Sequence, residues 1–395
     1  MNLKIVGSIA IVAGTAIGAG MLALPLATAA MGLIPALLLM LVVWAISAYT
    51  ALLMLEVNLR SGIGDNLHLI TGKSLGSKGQ IVQSLSFLSL LFALTAAYLT
   101  GGADLLALKA KAWFDIELSN QTAVLLFTFV LGGFAALGVH WIDKISRALF
   151  STMIVLLALV LVFLLPEVSL DALAQRAATN SLTAVWLSAI PVVVTSFGFH
   201  VCIATLVRYL DGDVPTLRRV LLIGSTIPLF CYVLWLLVTL GTVGGEAIAG
   251  FNGSLSRLIS ALQEISSQPL ISKVIGLFAD LALVTSFLGV TMSLFDFNAE
   301  LIRASNTVSG RIQTWLLTFM PPLVCALFVP EGFIALLGFA AVPLVVITVF
   351  LPVLIALKQR AERHDGYQVA GGNFTLGLLL LLGGAIIGAQ LYVAI

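Results

Sequence analysis

Apolar residues fill the chain in long uninterrupted segments, and short polar or charged stretches separate one segment from the next. A helix of about 20 apolar residues is long enough to cross the hydrocarbon core of a bilayer. The pattern predicts eleven such helices, and therefore an all-α polytopic membrane protein. The predicted spans are 5–29, 33–57, 80–108, 121–139, 148–165, 183–206, 218–240, 273–297, 311–329, 331–356 and 374–395.

The first predicted span is interrupted in its middle. From Gly14 to Pro25 it reads GTAIGAGMLALP, with three glycines and a proline inside an apolar run. Glycine and proline weaken a helix, and broken backbone at mid-membrane is tolerated only where it is packed in protein or lines a cavity. The freed N–H and C=O groups then become ligands for a substrate or an ion.

The sixth span repeats this feature, since hydroxyl residues and a glycine lie between Pro191 and His200. The two interrupted spans are five apart, so two five-span repeats must cross the membrane in opposite directions. The predicted repeats cover 5–165 and 183–356, and 374–395 is predicted to be an accessory span. Paired interruptions in two inverted halves indicate the binding site of a secondary transporter.

Lys and Arg residues in the connections predict the orientation. With a cytoplasmic N-terminus, 14 of them fall inside and 5 outside, which places the C-terminus outside. The outside stretch 241–272 is predicted to hold a short helix at 255–265 above the entrance. The inside stretch 58–79 is predicted to be a solvated loop, with a gate as the alternative. The first apolar run is too long for a cleaved signal peptide.

Composition narrows the possible functions. With 60% hydrophobic and 9% charged residues and a net charge of +1, the chain offers no basic patch for nucleic acid. Its three cysteines fall in predicted spans and indicate no disulfide framework. The sequence contains no nucleophile set and no spacing typical of metal ligands, so an enzyme is not expected. A channel needs a continuous polar lining, and the polar positions here are isolated.

The break in the first span is the strongest candidate for a binding site. If the helix opens at Ile17, the N–H groups of Gly18, Ala19 and Gly20 begin a half-helix whose positive end attracts a carboxylate. Carbonyl groups near the two breaks are candidates for a substrate ammonium, namely those of Thr15, Ala16, Thr195 and Ser196. An amino acid zwitterion suits both sets. The alternative is that the glycines only allow close helix packing.

Aromatic residues lie beside the second break. Phe197 and Phe199 stand on either side of Gly198, and Tyr98 belongs to the third span. We expect these rings to enclose an aromatic substrate. The alternative is ordinary packing in membrane helices.

Ionisable groups inside spans are costly and few. His200 lies beside the second break, and histidine titrates near neutral pH. Asp280 lies in the eighth span, where Thr285 faces the opposite side of the helix. His200 and Asp280 are therefore the candidates for carrying a proton. The alternative for His200 is a neutral core histidine.

These motifs resemble those of bacterial aromatic amino acid permeases, the hydroxy/aromatic amino acid permease family. The similar segments are GTAIGAGMLALP at 14–25, LTAAY at 94–98, TSFGFH at 195–200, FADLALVTSFLGV at 278–290 and SNTVSGRIQT at 305–314. The likeness covers essentially the whole chain and is greatest to the tyrosine-specific members.

The resemblance implies a LeuT-type 5+5 inverted repeat in a bacterial inner membrane. It implies import of L-tyrosine by proton symport through alternating access, with no cofactor. Tryptophan, or a broader aromatic range, is the alternative substrate. The fold's cation site would lie near Ala13, Ala16, Thr285 and Ser286. Some proton-coupled relatives have a lysine in span five, where this chain has Met153. Sodium coupling at Thr285 and Ser286 therefore stays open beside proton coupling.

Overall fold

The computed structural model describes residues 3–135, 139–175, 181–265, 268–305, 307–329, 332–362 and 366–394, and for residues 135 and 139–144 it describes the backbone alone. In chain order the α-helices are α1 (Leu3–Ala16), α2 (Ala19–Thr28), α3 (Leu33–Ser61), α4 (Leu67–Phe114), α5 (Asn120–Ala135), α6 (Val139–Leu164), α7 (Leu170–Ala174), α8 (Leu182–Ser196), α9 (Ile203–Tyr209), α10 (Val214–Val243), α11 (Gly245–Ala249), α12 (Leu255–Ile265), α13 (Pro269–Leu301), α14 (Val308–Phe328), α15 (Phe333–Val345), α16 (Leu351–Glu362) and α17 (Gly372–Ala394). A π-helical turn at Val346–Phe350 joins α15 to α16.

The predicted all-α polytopic class is confirmed. Nine helical segments among the described residues are long and apolar enough to cross a membrane, and α1 with α2 forms a further pair bent by 48°. Helix α5 is shorter, with its apolar part at Asn120–Phe134. The predicted start of the tenth span at 331 and the predicted end of the eleventh span at 395 lie outside the described residues.

The stretch 58–79, predicted to be a loop, contains the start of α4. The side chain of Asn66 caps this helix by accepting a hydrogen bond from the N–H of Leu69 at 2.9 Å. Ile70 is buried, and Gly76 has a φ of +69° that bends α4 into two pieces. The prediction of a loop was wrong because the capping residue and the buried face lie among charged residues that mask the helical pattern.

Helix α12 confirms the short helix predicted at 255–265. Its apolar face is buried against α2, α4, α10 and α13. Asp104 of α4 holds its start, since Oδ2 of Asp104 accepts hydrogen bonds from the N–H of Ser256 at 2.8 Å and the hydroxyl of Ser254 at 3.1 Å. We call the face at which α1 begins the N-terminal face. Helix α12 therefore covers the opposite end of the bundle.

A buried ion pair closes part of the N-terminal face. Two guanidinium nitrogens of Arg360, Nε and Nη2, each donate to a carboxylate oxygen of Glu56 at 2.7 Å. The N–H of Val369 donates to the same carboxylate at 2.8 Å. Glu56 has no exposed surface. The cluster fastens α3 to α16 and to the segment that leads into α17.

Candidate functional site

The helix break predicted in the first span lies between Ala16 and Ala19. The last helical bond of α1 runs from the N–H of Ile17 to the carbonyl of Ala13 at 2.9 Å, and α2 restarts with the N–H of Met21 bonded to the carbonyl of Gly18 at 3.0 Å. The N–H of Gly18 has no acceptor among the described residues. Because the first N–H groups of a helix lack intrahelical partners and carry partial positive charge, this break offers an anion cradle made of backbone.

Ser286 of α13 supports the cradle from the side. Its hydroxyl accepts a hydrogen bond from the N–H of Ala19 at 2.8 Å and donates to the carbonyl of Ala282 at 2.9 Å. A Cβ atom added to Gly18 would overlap the Ser286 hydroxyl. A side chain at position 18 would therefore displace the Ser286 hydroxyl from its bond with Ala19.

The second predicted break separates α8 from α9 at Phe197–Phe199. The Ser196 hydroxyl donates to the carbonyl of Gly20 at 3.2 Å and to that of Val192 at 2.9 Å. A Cβ atom on Gly20 would lie only 3.2 Å from this hydroxyl. The two breaks are thus in direct contact, and the close packing that was the alternative explanation for the glycines applies at Gly20.

Tyr232 of α10 joins the same two breaks. Its buried hydroxyl lies 2.7 Å from the carbonyl oxygen of Ala16 and 2.8 Å from that of Ser196. Ala16 ends α1 and Ser196 ends α8. No sequence pattern pointed to Tyr232, because a tyrosine within an apolar span has no local feature that shows what its hydroxyl meets.

A cavity of about 810 Å³ lies against both breaks. Twelve of the seventeen residues predicted for the substrate and ion sites line it, namely Thr15, Ala16, Ile17, Gly18, Ala19, Gly20, Tyr98, Thr195, Ser196, Gly198, Thr285 and Ser286. The structure therefore brings together residues from the first, third, sixth and eighth predicted spans. Tyr98 lies close to Ser286, so it faces the end of the cavity where α2 restarts.

Phe197 and Phe199, which were expected to enclose a substrate ring, do not line this cavity. Phe197 is buried with its ring edge against Tyr232, 5.2 Å between centroids. Phe199 is buried and stacks on the ring of His200 at 4.9 Å. The aromatic side chains that do line the cavity are Phe87, Tyr98 and Phe150. Sequence position beside a break did not reveal the direction of the two phenylalanine side chains.

The two proton candidates also lie outside this cavity. Nε2 of His200 is 2.8 Å from the hydroxyl of Thr50, and His200 lines a neighbouring cavity of about 780 Å³. The two cavities share Phe87 and Val201. Asp280 forms an ion pair with Lys109 of α4, and each side chain is about one quarter exposed. Sequence alone did not suggest Lys109 as its partner.

Thr285 of α13 contacts Met153 of α6. Its hydroxyl donates to the carbonyl of Leu281 at 2.7 Å and lies 3.8 Å from the sulfur of Met153. With the Ser286 hydroxyl bonded to Ala19 and Ala282, both hydroxyls of the sodium alternative have protein partners.

The cavity extends toward the N-terminal face. Its lining includes Ala10, Ile11 and Gly14 from α1, and from α2 it reaches no described residue beyond Gly20. Helix α6 contributes its first part, including Arg147 and Phe150. On the opposite side, Trp235 and Phe278 pack together at 5.3 Å beneath α12. The structure is thus open toward the N-terminal face and closed at the other end.

Comparisons with known proteins agree with this architecture. The profile of the Tryptophan/tyrosine permease family matches residues 1–390. The chain is 40% identical to tyrosine-specific transport system 2 of Haemophilus influenzae, over 96% of this chain and 94% of that protein. It is 34% identical to glutamine transporter 2 of Aliivibrio fischeri, over 99% of this chain and 100% of that protein.

A solved structure shows the same fold. The crystal structure of MhsT in complex with L-phenylalanine aligns with a TM-score of 0.63 over 98% of both chains, at 14% identity. MhsT has the LeuT fold, so the predicted LeuT-type fold is confirmed, while the 5+5 repeat and the eleventh span stay predictions.

Proposed function

The chain belongs to the tryptophan/tyrosine permease family, a family of transport proteins, and on that basis we propose that it imports an aromatic amino acid, first of all L-tyrosine. The proposed mechanism is proton symport by alternating access. Two inverted five-span repeats, 5–165 and 183–356, would move around the site, with 374–395 as an accessory span. The proposed location is a bacterial inner membrane with the N-terminal face in the cytoplasm, so the structure would be inward-open.

The observation that carries the substrate proposal is the cavity at the junction of the two breaks. The free N–H of Gly18 and the first turn of α2 suit a carboxylate. Thr15 and Thr195 belong to the same lining, and we propose that their carbonyl groups take the α-ammonium group. Placing both charged groups of an amino acid on backbone leaves the rest of the cavity for the side chain.

The remainder of the cavity supports an aromatic side chain. Rings of Phe87, Tyr98 and Phe150 line it, and ring–ring contacts contribute about 0.5–1.5 kcal/mol beyond area burial. The tyrosine hydroxyl needs a polar partner when buried. Ser146 is our candidate, because it lines the cavity and its buried hydroxyl has no partner among the described residues.

Proton coupling is proposed to depend on His200 or Asp280. His200 is reached from the second cavity and so is separated from the substrate. Asp280 is paired with Lys109 near the closed end. A group that is ionised in one conformation and neutralised in another converts the cost of a charge within a membrane into coupling. Sodium at Thr285 and Ser286 remains the alternative.

The test is uptake of labelled tyrosine into proteoliposomes, with the pH gradient and the sodium gradient varied separately. We expect accumulation on a pH gradient without sodium. We also expect at least one of the two variants His200→Gln and Asp280→Asn to lose this accumulation. Accumulation that requires sodium and ignores pH would contradict proton coupling. If both variants still concentrate tyrosine on a pH gradient, neither residue carries the proton.

Substrate choice is tested in the same vesicles by counterflow. Unlabelled tyrosine, tryptophan, phenylalanine and glutamine are each preloaded, and exchange with external labelled tyrosine is measured. We expect the three aromatic amino acids to exchange and tyrosine to exchange fastest. Glutamine deserves inclusion because a relative 34% identical to this chain is named a glutamine transporter. Faster exchange with glutamine than with every aromatic amino acid would contradict the aromatic proposal.

A further inference from the structure

Tyr232 bridges the two broken helices, and neither the substrate site nor the proton candidates of the proposed function include it. The hydroxyl has one proton, and it lies at nearly equal distances, 2.7 and 2.8 Å, from two carbonyl oxygens. These oxygens belong to the last residues of α1 and α8, the half-helices that end at the breaks. The edge-on contact with Phe197 holds the tyrosine ring in this position.

Carbonyl groups at a helix C-terminus lack intrahelical partners and carry partial negative charge. In transporters with discontinuous helices, such carbonyls are typical ligands for a monovalent cation. Here two of them converge on one point, and a neutral O–H group occupies that point. We infer that Tyr232 determines ion requirement: its hydroxyl takes the place that a cation would otherwise fill between the two broken helices.

The hydroxyl groups of Ser196 and Ser286 at the junction have other partners. The Ser196 hydroxyl donates to Gly20 and Val192, and that of Ser286 contacts Ala19 and Ala282. Among the described side chains, only Tyr232 bonds the carbonyls of both Ala16 and Ser196. Removing its hydroxyl would therefore leave two acceptors without a donor.

The inference rests on the proposed function, since it explains why a permease with this fold runs without a metal cation at the junction. Tyr232→Phe keeps the ring and removes one oxygen atom between two convergent carbonyls. A sodium or lithium ion can then bind both oxygens, whereas choline is too large. The variant should acquire a cation requirement that the wild-type protein lacks.

The experiment measures initial tyrosine uptake in proteoliposomes on a fixed pH gradient, with choline, potassium, sodium or lithium chloride on both sides. For Tyr232→Phe we expect about a tenfold lower rate in choline, since buried acceptors are left unpaired. Sodium or lithium should restore most of the rate. The matched control is Thr239→Val, because the Thr239 hydroxyl bonds the carbonyl of Trp235 within α10 at 2.8 Å and is remote from the breaks.

Two results would overturn the inference: uptake by Tyr232→Phe that matches Thr239→Val in every salt, or uptake lost equally in every salt by correctly inserted protein. If the phenylalanine variant does not insert, Tyr232→Gln takes its place, because an amide NH2 has two donors for the two carbonyls. Cation-independent uptake by Tyr232→Gln supports the inference, and cation-dependent or absent uptake contradicts it. A sodium requirement in the wild-type protein itself would instead contradict the proposed function.

Discussion

Replacing Gly18 with alanine tests the backbone cradle through a single methyl group. The φ of Gly18 is 179°, an extended conformation that alanine also adopts, so the substitution introduces no backbone strain. The added Cβ would overlap the Ser286 hydroxyl but lie 3.5 Å from the Ser286 Cβ, an ordinary contact. The Ser286 hydroxyl must therefore rotate away and give up its bond with the N–H of Ala19.

The magnitude follows from that lost bond. An unsatisfied buried N–H costs about 1–3 kcal/mol, which corresponds to roughly 5- to 150-fold in affinity if the cradle must be ordered to bind. Ser286→Ala removes the same bond without any overlap. Since both substitutions remove one interaction, the double variant Gly18→Ala/Ser286→Ala should cost no more than Ser286→Ala alone, within about 0.5 kcal/mol.

The assay is equilibrium binding of labelled tyrosine to purified protein in nanodiscs, with insertion checked by gel filtration. Gly7→Ala is the matched control, because a Cβ there meets no atom within 4 Å and Gly7 lies in the same helix, α1. We expect Gly7→Ala to bind as the wild-type protein does. The reasoning would be refuted if Gly18→Ala bound as tightly as Gly7→Ala, or if the costs of the two substitutions were additive.

Two further predictions concern the buried ion pair and the ring contacts. Glu56→Gln should lower the free energy of unfolding by about 3–5 kcal/mol, as measured by thermal unfolding, because Arg360 stays buried without its carboxylate. Glu362→Gln, which removes an exposed partner of Lys358, should change stability by less than about 1 kcal/mol, and equal effects would contradict this reasoning. Tyr98→Leu should lower the affinity for tyrosine by up to about tenfold in competition binding and leave the affinity for alanine unchanged. An equal loss of affinity for both amino acids would indicate that Tyr98 acts through packing alone.

Local features of the sequence determined where the helices break, but not which backbone groups stay free: the N–H of Ala19, predicted to face the cavity, is bonded to the Ser286 hydroxyl. Glycine and proline act through their own peptide units, so Gly18 and Gly20 marked the first break without any knowledge of neighbouring helices. The amphipathic pattern of α12 likewise specified its helix and its buried face. The same information predicted that both breaks line one cavity, because glycine and hydroxyl residues interrupt the first and the sixth predicted spans.

Only the tertiary structure decided where side chains point and what they meet. Phe197 and Phe199 adjoin a break, yet their directions depend on how α9 resumes and packs, and both rings lie outside the cavity. Glu56 pairs with Arg360 across some 300 positions of sequence. A helical pattern specifies which face is apolar, but not which residue of another helix lies opposite it. Tyr232 shows this most clearly, because its hydroxyl acquires a role only when the ends of α1 and α8 converge upon it.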